Sequence, residues 1–485
     1  MALGLGAGWW LGSGAAGAGA ASAEGAGGAP IRSVAVIPFV NLSDDPSNEY
    51  FSDGLAEELL NVLAQVEELK VAARTSSWAF KGEKADVKEI AAALGVQAVV
   101  EGSVRRQDDR VRVTAQLIHA SDGFHLWSHT YDSRIDDVFA LQDSLAGAIG
   151  EALQVTLGIA DLSRRERGLT EDLAAYDLYL LGRHRWARRT VPAIREAIRY
   201  YEEAIALDST FALAYSGLAD AHLVLGFYEA SSDVPASLAR AEAAVAEALE
   251  LSPELGEVQA TAGLVAYHRW DLERSSRHLE RALQLAPGYL WTHHNLRQLH
   301  MSLAQREASV AAARRAYEID PLSPIVVQSL AGALEQADSL EAAVPYSQQA
   351  IVRPDAAYYW LSGHARLLDR LGRKDEAARA WVRQAEGMGY PDPERAAVMS
   401  TGDPAAVEAY LDDVVAKTPY SRADLAFHYF NAGPDAFIEA ATEAVDTHHV
   451  WALWLNVDWF ADALRHDPRY RALLERVGIP LPEPR

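Results

Sequence analysis

The chain has 485 residues, no cysteine and a formal net charge of -24. That length suits about two to four ordinary domains or a repeat array, and the missing thiols exclude disulfides, thiolate metal sites and cysteine nucleophiles. Phosphate binding needs a dense basic patch, and the short runs Arg164–Arg167 and His184–Arg189 do not supply one, which argues against a nucleic-acid partner.

Residues 1–30 are rich in Ala and Gly, with no Lys or Arg before Arg32, which makes a poor secretory signal. The apolar stretch Ala2–Leu11 is about half of the ~20 residues a membrane helix needs. Its paired Trp9 and Trp10, followed by a Gly/Ala/Ser linker, suit the last turns of a spanning helix that runs into a tether. On that reading the protein is membrane-associated with its soluble part extracytoplasmic, in the periplasm. The alternative is a disordered Ala/Gly tail on a cytoplasmic protein.

From residue 31 to 160 strand and helix patterns alternate. Ser33–Phe39 is an apolar run of strand length, Phe51–Val66 has helical spacing, and a strand at Leu69–Arg74 and a helix at Asp86–Val96 follow. Gln97–Arg106 and Arg110–His119 predict a hairpin about Gln107–Asp109, Gly123–Asp132 alternates as a further strand, and Val138–Leu157 is helical. The order β-α-β-α-β-β-β-α predicts an α/β domain with one mixed sheet.

Residues 161–174 read as a connector, and residues 175–485 as an all-α superhelix with capping helices at its C-terminus. Ser209, Pro253, Pro287, Pro321 and Asp355 are separated by steps of 44, 34, 34 and 34, the first step carrying ten extra residues. A step of 34 is the tetratricopeptide (TPR) period. Five positions before each marker stand Ala204, Ala248, Ala282, Ala316 and Ala350; twelve before stand Ala197, Ala241, Ser275, Ser309 and Ala343. Small residues in fixed register are what two closely packed helices require. Stacked helix pairs leave a concave groove, the default binding surface of such arrays.

The strings "VAVIPFVNLSDDPSNEYFSDGLAEELL", "ARTSSWAFKG", "AAALGVQAVVEGSVRRQDDRVRVTAQLIHASDGFHLWSHTYD" and "VFALQDSLA" are similar, in content and order, to the TolB-like amino-terminal domain that bacteria place ahead of TPR repeats. "WLNVDWFADALRHDPRYRALLERVGIP" resembles the usual ending of these proteins, so the resemblance runs from about Arg32 to Pro480. It implies the extracytoplasmic part of a membrane-anchored signalling protein, normally preceded by an output domain such as a DNA binder, a kinase or a nucleotide cyclase. No residues of this chain match such an output domain.

No Walker A loop, HExxH, G-x-S-x-G elbow or kinase HRD and DFG set occurs, so no catalytic residue, cofactor or metal is expected. His125, Trp127, His129 and Tyr131 would share one strand face, with the two histidines about 13 Å apart, too far to grip one ion. Neighbouring His293 and His294 would diverge. Asp44, Asp45 and Asp53 form an acidic rim before a helix. There Asp44, Asp45 and Pro46 make a turn and Ser52 or Asp53 caps the helix, and a ligand at this rim is the lesser reading. The expected partner-binding groove is lined by Asp220, Tyr267, His268, Trp291, His294, Gln298, Gln328, Glu335, Gln336, Tyr359 and Arg366, polar and aromatic side chains where a packed core would prefer aliphatics. The sequence thus predicts a non-enzymatic scaffold that holds protein partners, with the sensory half of a membrane receptor as the alternative and an enzyme using the Asp44–Asp53 loop as the weakest reading.

Overall fold

In chain order the α/β part consists of β1 (Ser33–Val36), β2 (Val40–Asn41), α1 (Glu49–Ala64), β3 (Lys70–Val71), α2 (Arg74–Trp78), α3 (Val87–Leu94), β4 (Ala98–Gln107), β5 (Arg110–His119), β6 (His125–Arg134) and α4 (Val138–Leu153). This computed structural model describes residues 31–482 apart from 67, 84, 154, 156–167, 189, 229–233, 353–357 and 457, and apart from the side chains of 227–228, 358–359 and 458–460. The expected membrane remnant at 1–30 and most of the connector lie outside the described residues. Among the described residues no helix is long and apolar enough to cross a membrane.

All four side chains of β1 are buried, as suits a parallel strand covered on both faces. β1 lies between β3 and β4 and runs parallel to both, while β4, β5 and β6 are antiparallel neighbours; β2 adds a short parallel pairing to β4. The predicted order is therefore present, with β2 and α2 added. Val34, Val36, Val100, Val113, Ala115 and Leu117 pack on α1 and α4, whereas Ala35 and Val99 on the opposite face meet Ile90 and Leu94 of α3. A capping box of Asp86 and Glu89 starts α3, and Gly95 at φ 65° ends it.

The all-α part is built of successive helical hairpins: α5 (Leu173–Trp186) with α6 (Val191–Leu207), α7 (Ala212–Tyr228) with α8 (Val234–Leu251), α9 (Gly256–His268) with α10 (Leu272–Leu285), α11 (Leu290–Ser302) with α12 (Arg306–Ile319), α13 (Pro324–Gln336) with α14 (Leu340–Ile351), and α15 (Tyr358–Arg370) with α16 (Lys374–Gly387). Less regular helices follow: α17 (Pro404–Lys417), α18 (Ala426–Tyr429), α19 (Pro434–Asp446), α20 (Asp458–Leu464) and α21 (Pro468–Val477). Pro253, Pro287 and Pro321 fall in the loops between hairpins. The fixed-register residues all lie at helix contacts: Ala204, Ala248 and Ala282 are 0% exposed, and so are Ala197, Ala241, Ser275, Ser309 and Ala343. A solenoid of TPR-type hairpins is what these packed small residues build.

The turns inside four successive hairpins, from α9–α10 to α15–α16, carry a feature that the sequence concealed. Trp270, Ala304, Asp338 and Gly372 stand 34 residues apart and have φ of 64°, 57°, 59° and 74°. A left-handed backbone costs an L-residue about 1–2 kcal/mol, so Ala304→Gly is expected to raise stability by up to about 1 kcal/mol, less than the strain because glycine also loses more entropy on folding. Thermal or urea denaturation of the variant checks this.

Candidate interaction surface

Much of the predicted groove is filled by the chain itself. On one side α1 lies against α5, and a Cβ on Gly54 would stand 2.6 Å from the Leu180 side chain. One turn further on, the Glu57 carboxylate takes Arg74 Nε of α2 at 2.9 Å and pairs with the Arg183 guanidinium of α5. Burial alone would raise the Glu57 carboxyl, but the two arginines outweigh it and hold the group below its ordinary value. Asp53 accepts from Lys81 Nζ at 2.7 Å and stands 3.6 Å from His184 Nδ1. Trp186 at the end of α5 meets Trp291 of α11 edge to face, with ring centroids 6.1 Å apart.

At the end of α1 the Ala64 carbonyl rests on Gly288, where a Cβ would stand 2.6 Å from the oxygen. Backbone cannot retreat as a side-chain tip can. Gly288→Ala is therefore expected to destabilise the protein by about 1–3 kcal/mol, read as a lowered melting temperature.

α2 docks on the α12–α13 loop. The Ala73 amide donates to the Ile319 carbonyl at 2.8 Å, and Ser76 donates to Asp320 Oδ1 from its amide at 2.8 Å and from its hydroxyl at 2.5 Å. In return the Leu322 amide donates to Ser76 Oγ at 2.9 Å. Burial pushes the Asp320 carboxyl up to about 6 although the Ser76 and Thr75 hydrogen bonds pull it down. Because the folded value lies above 3.8, ionisation of this group removes stability as the pH rises through the window from about 4 to 6. Asp320→Asn retains the acceptor and discards the charge. It is expected to stabilise the protein by roughly 1–3 kcal/mol at pH 7 and to have little effect near pH 4, measured as denaturation midpoints at both pH values.

The C-terminal part covers the next stretch. Tyr267 is 1% exposed; its hydroxyl lies 2.8 Å from Ser302 Oγ and accepts from Trp454 Nε1 at 2.9 Å. Asn456 Nδ2 donates to the Ser302 carbonyl at 2.6 Å, and the His448 ring stacks 3.8 Å from Trp270 with its Nε2 3.0 Å from the His268 carbonyl. Phe437, Leu453, Leu464 and Tyr470 complete a core with Leu296 and Leu299.

These contacts correct the expected groove. Tyr267, His268, His294 and Glu335 are buried, Glu335 by pairing with Arg366 and Arg370. Trp291 is half-buried against Trp186, and Asp220 is half-buried near Glu257, whose carboxyl is raised by burial and by Glu57 and Asp220. Their polar and aromatic character serves contacts within the chain. Gln298, Gln328, Gln336 and Arg366 keep part of their surface in solvent. Tyr359 has its side chain outside the described residues.

The acidic rim also separates. Asp44 and Asp45 are exposed; Asp45 accepts from the Ser47 amide at 2.8 Å and hydroxyl at 2.6 Å, which holds its carboxyl below the usual value. Asp53 is instead 3% exposed and lies inside α1, which begins at Glu49. Neither Ser52 nor Asp53 caps that helix. Sequence reasoning missed Glu57, Arg74, Arg183 and Asp320, although Asp53 and Glu57 fall one turn apart on the apolar stripe of Leu60 and Ala64, a place where charge needs a partner.

Among the described residues no group of three or more His, Asp and Glu side chains could hold a metal ion. Trp127, His129 and Tyr131 do form one row, with ring centroids 6.4 and 4.6 Å apart in sequence. His125 does not join it. A bulge puts Trp127 opposite Leu117 but His125 opposite Ile118, turning His125 to the other face of the sheet beside Glu101.

No family model matches the chain. Putative adenylate cyclase 3 of Rhizobium meliloti (strain 1021) is 36% identical over 218 residues, 45% of this chain and 37% of that protein, so the chain spans little more than a third of this curated relative. Among solved structures, the type IV pilus biogenesis factor PilW is 17% identical with a TM-score of 0.38, covering 47% of this chain and 99% of its own. Pseudomonas aeruginosa pilF is 16% identical with a TM-score of 0.35 over 46% of this chain and 95% of its own. YrrB, described as a TPR protein with an unusual peptide-binding site, is 16% identical with a TM-score of 0.30 over 40% of this chain and 95% of its own.

Proposed function

We propose that this chain is a non-enzymatic protein-interaction scaffold that holds an extended segment or helix of a partner on the later repeats. The observation that supports this is the partial exposure of Gln298, Gln328, Gln336 and Arg366 on α11, α13 and α15, while the neighbouring positions are closed by the chain itself. The α/β part, TolB-like by its sequence resemblance, acts as an accessory module that closes the first repeats. Neither cofactor nor nucleic acid is involved. The test is a pulldown with the full chain, comparing the wild type with a Gln298→Arg, Gln336→Arg variant of unchanged circular dichroism. Loss of a wild-type partner supports the reading; recovery of the same proteins, or of none, rejects it.

A second reading makes the chain the extracytoplasmic, sensory part of a membrane receptor, tethered through residues 1–30. Its support is the partial match to a relative named as an adenylate cyclase, most of whose length lies outside the match. Genomic DNA upstream of Met1 tests it: in-frame coding for about ten more apolar residues behind a basic flank favours the receptor, and a stop codon there removes it.

A further inference from the structure

We propose that β6 is a dimerisation edge, along which a second copy of the chain pairs its own β6 in antiparallel fashion about a two-fold axis at Thr130. β6 ends the strand order β3-β1-β4-β5-β6, and among the described residues no strand pairs with its outer side. The Ile135 amide donates to the Asp109 carbonyl at 2.7 Å, which fixes the odd-numbered residues from Trp127 to Ser133 as those bonded to β5. The amides and carbonyls of Ser128, Thr130 and Asp132 consequently point away from the sheet, and all three residues are exposed. Natural edges are usually blunted by lysine, proline or inward charge. From Trp127 to Tyr131 none of these is present.

The strand is complementary to itself. With Thr130 opposite Thr130 of the second copy, Ser128 faces Asp132 and His129 faces Tyr131, and the outward groups of Ser128, Thr130 and Asp132 all fall at hydrogen-bonded pairs. Two of these pairings repeat chemistry already present in the sheet: Thr114 Oγ1 lies 3.1 Å from Thr130 Oγ1, and the His129 and Tyr131 rings meet edge to face with centroids 4.6 Å apart. Asp132 is already neutralised by Arg112 Nε at 2.7 Å, so no like charges face each other in this register. The bulge at Leu126 limits the paired stretch at one end. Two six-stranded sheets become one continuous sheet, and the row of Trp127, His129 and Tyr131 continues from copy to copy. A net charge of -24 on each copy opposes approach, and salt screens it, so the dimer tightens as ionic strength rises.

Sedimentation of the full chain across the micromolar range tests the proposal. The wild type is expected to be dimeric. Thr130→Lys sets two ammonium groups across the axis, and Thr130→Pro removes an outward amide without costing a bond to β5; both are expected to be monomeric with unchanged circular dichroism. Thr130→Cys, in a chain with no other cysteine, should give one disulfide-linked dimer on mild oxidation, the Cα spacing of about 5.5 Å in such a pair being within disulfide range. A monomeric wild type overturns the proposal, as does a dimer untouched by Thr130→Lys. So does a monomer whose β6 amides gain hydrogen-exchange protection only when another protein is added, because the edge then belongs to a foreign strand.

Discussion

Glu57→Ala is expected to cost about 3–5 kcal/mol and to loosen the α/β part from the first repeats before the repeats themselves unfold. Glu57 is 6% exposed and meets two cations from different elements, Arg74 of α2 and Arg183 of α5. Removing the carboxylate leaves two guanidinium groups that are 24% and 20% exposed without their shared counter-charge, and the desolvation already spent on them is no longer offset by attraction. Arg74 retains its position 4.6 Å over the Trp78 ring, so Arg183 bears most of the loss. The measurement is urea denaturation followed by tryptophan fluorescence, since Trp186 and Trp291 sit at this junction, with circular dichroism following the helices separately. Two separated transitions are expected in place of one. Adding Arg183→Leu to Glu57→Ala should recover most of the stability, because a buried pair replaced by apolar groups is often neutral. A single-variant cost below about 1 kcal/mol would mean that the pair behaves as a solvated surface bridge and would reject its role in holding the junction.

The repeat architecture was legible because its cause is local and periodic: residues 34 apart occupy equivalent contacts, and Ala197, Ala241, Ser275, Ser309 and Ala343 are small because helices cross there. The sheet was legible for a similar reason, since Val34–Val36 and Ala98–Val100 carry continuous apolar runs. The site was legible only in part. Tyr267 and His268 occupy helix positions that face a groove in an open solenoid, but Trp454 and His448, more than 170 residues later, cover them. No periodicity announces a contact between segments so far apart. Asp53 looked like a capping residue because it follows a turn, yet Asp45 and Pro46 already start a separate 3-10 turn and α1 begins four residues before Asp53. The bulge at Leu126 likewise defeats simple alternation, which predicts the wrong face for His125.

Acid is expected to unfold this protein well before its carboxylates are fully protonated. Burial holds the imidazoles of His222, His364 and His428 down to about 4 and that of His268 to about 3, against 6.5 in the unfolded chain. Above pH 6.5 neither state carries these protons and the full stability is present. As the pH falls, the unfolded chain takes up protons that the folded chain refuses, so stability is lost between about 6.5 and 4, at up to about 1.4 kcal/mol per pH unit for each histidine. Four such groups acting together would remove a stability of ordinary size, about 5–15 kcal/mol, within two pH units or so. Asp320 works in the opposite direction over the same window and offsets only part of the loss. His428 isolates the effect, because its ring packs on Trp381 with centroids 5.4 Å apart and, among the described residues, its nitrogens make no well-formed hydrogen bond, the Leu425 backbone offsetting only part of the burial. His428→Phe should therefore keep the packing, raise the urea midpoint at pH 7, and flatten the fall in stability between pH 6.5 and 4.5 by the share of one proton. An unchanged slope would mean that this imidazole takes up its proton in the folded protein as readily as in the unfolded one, and that the acid sensitivity has to be sought in the other three.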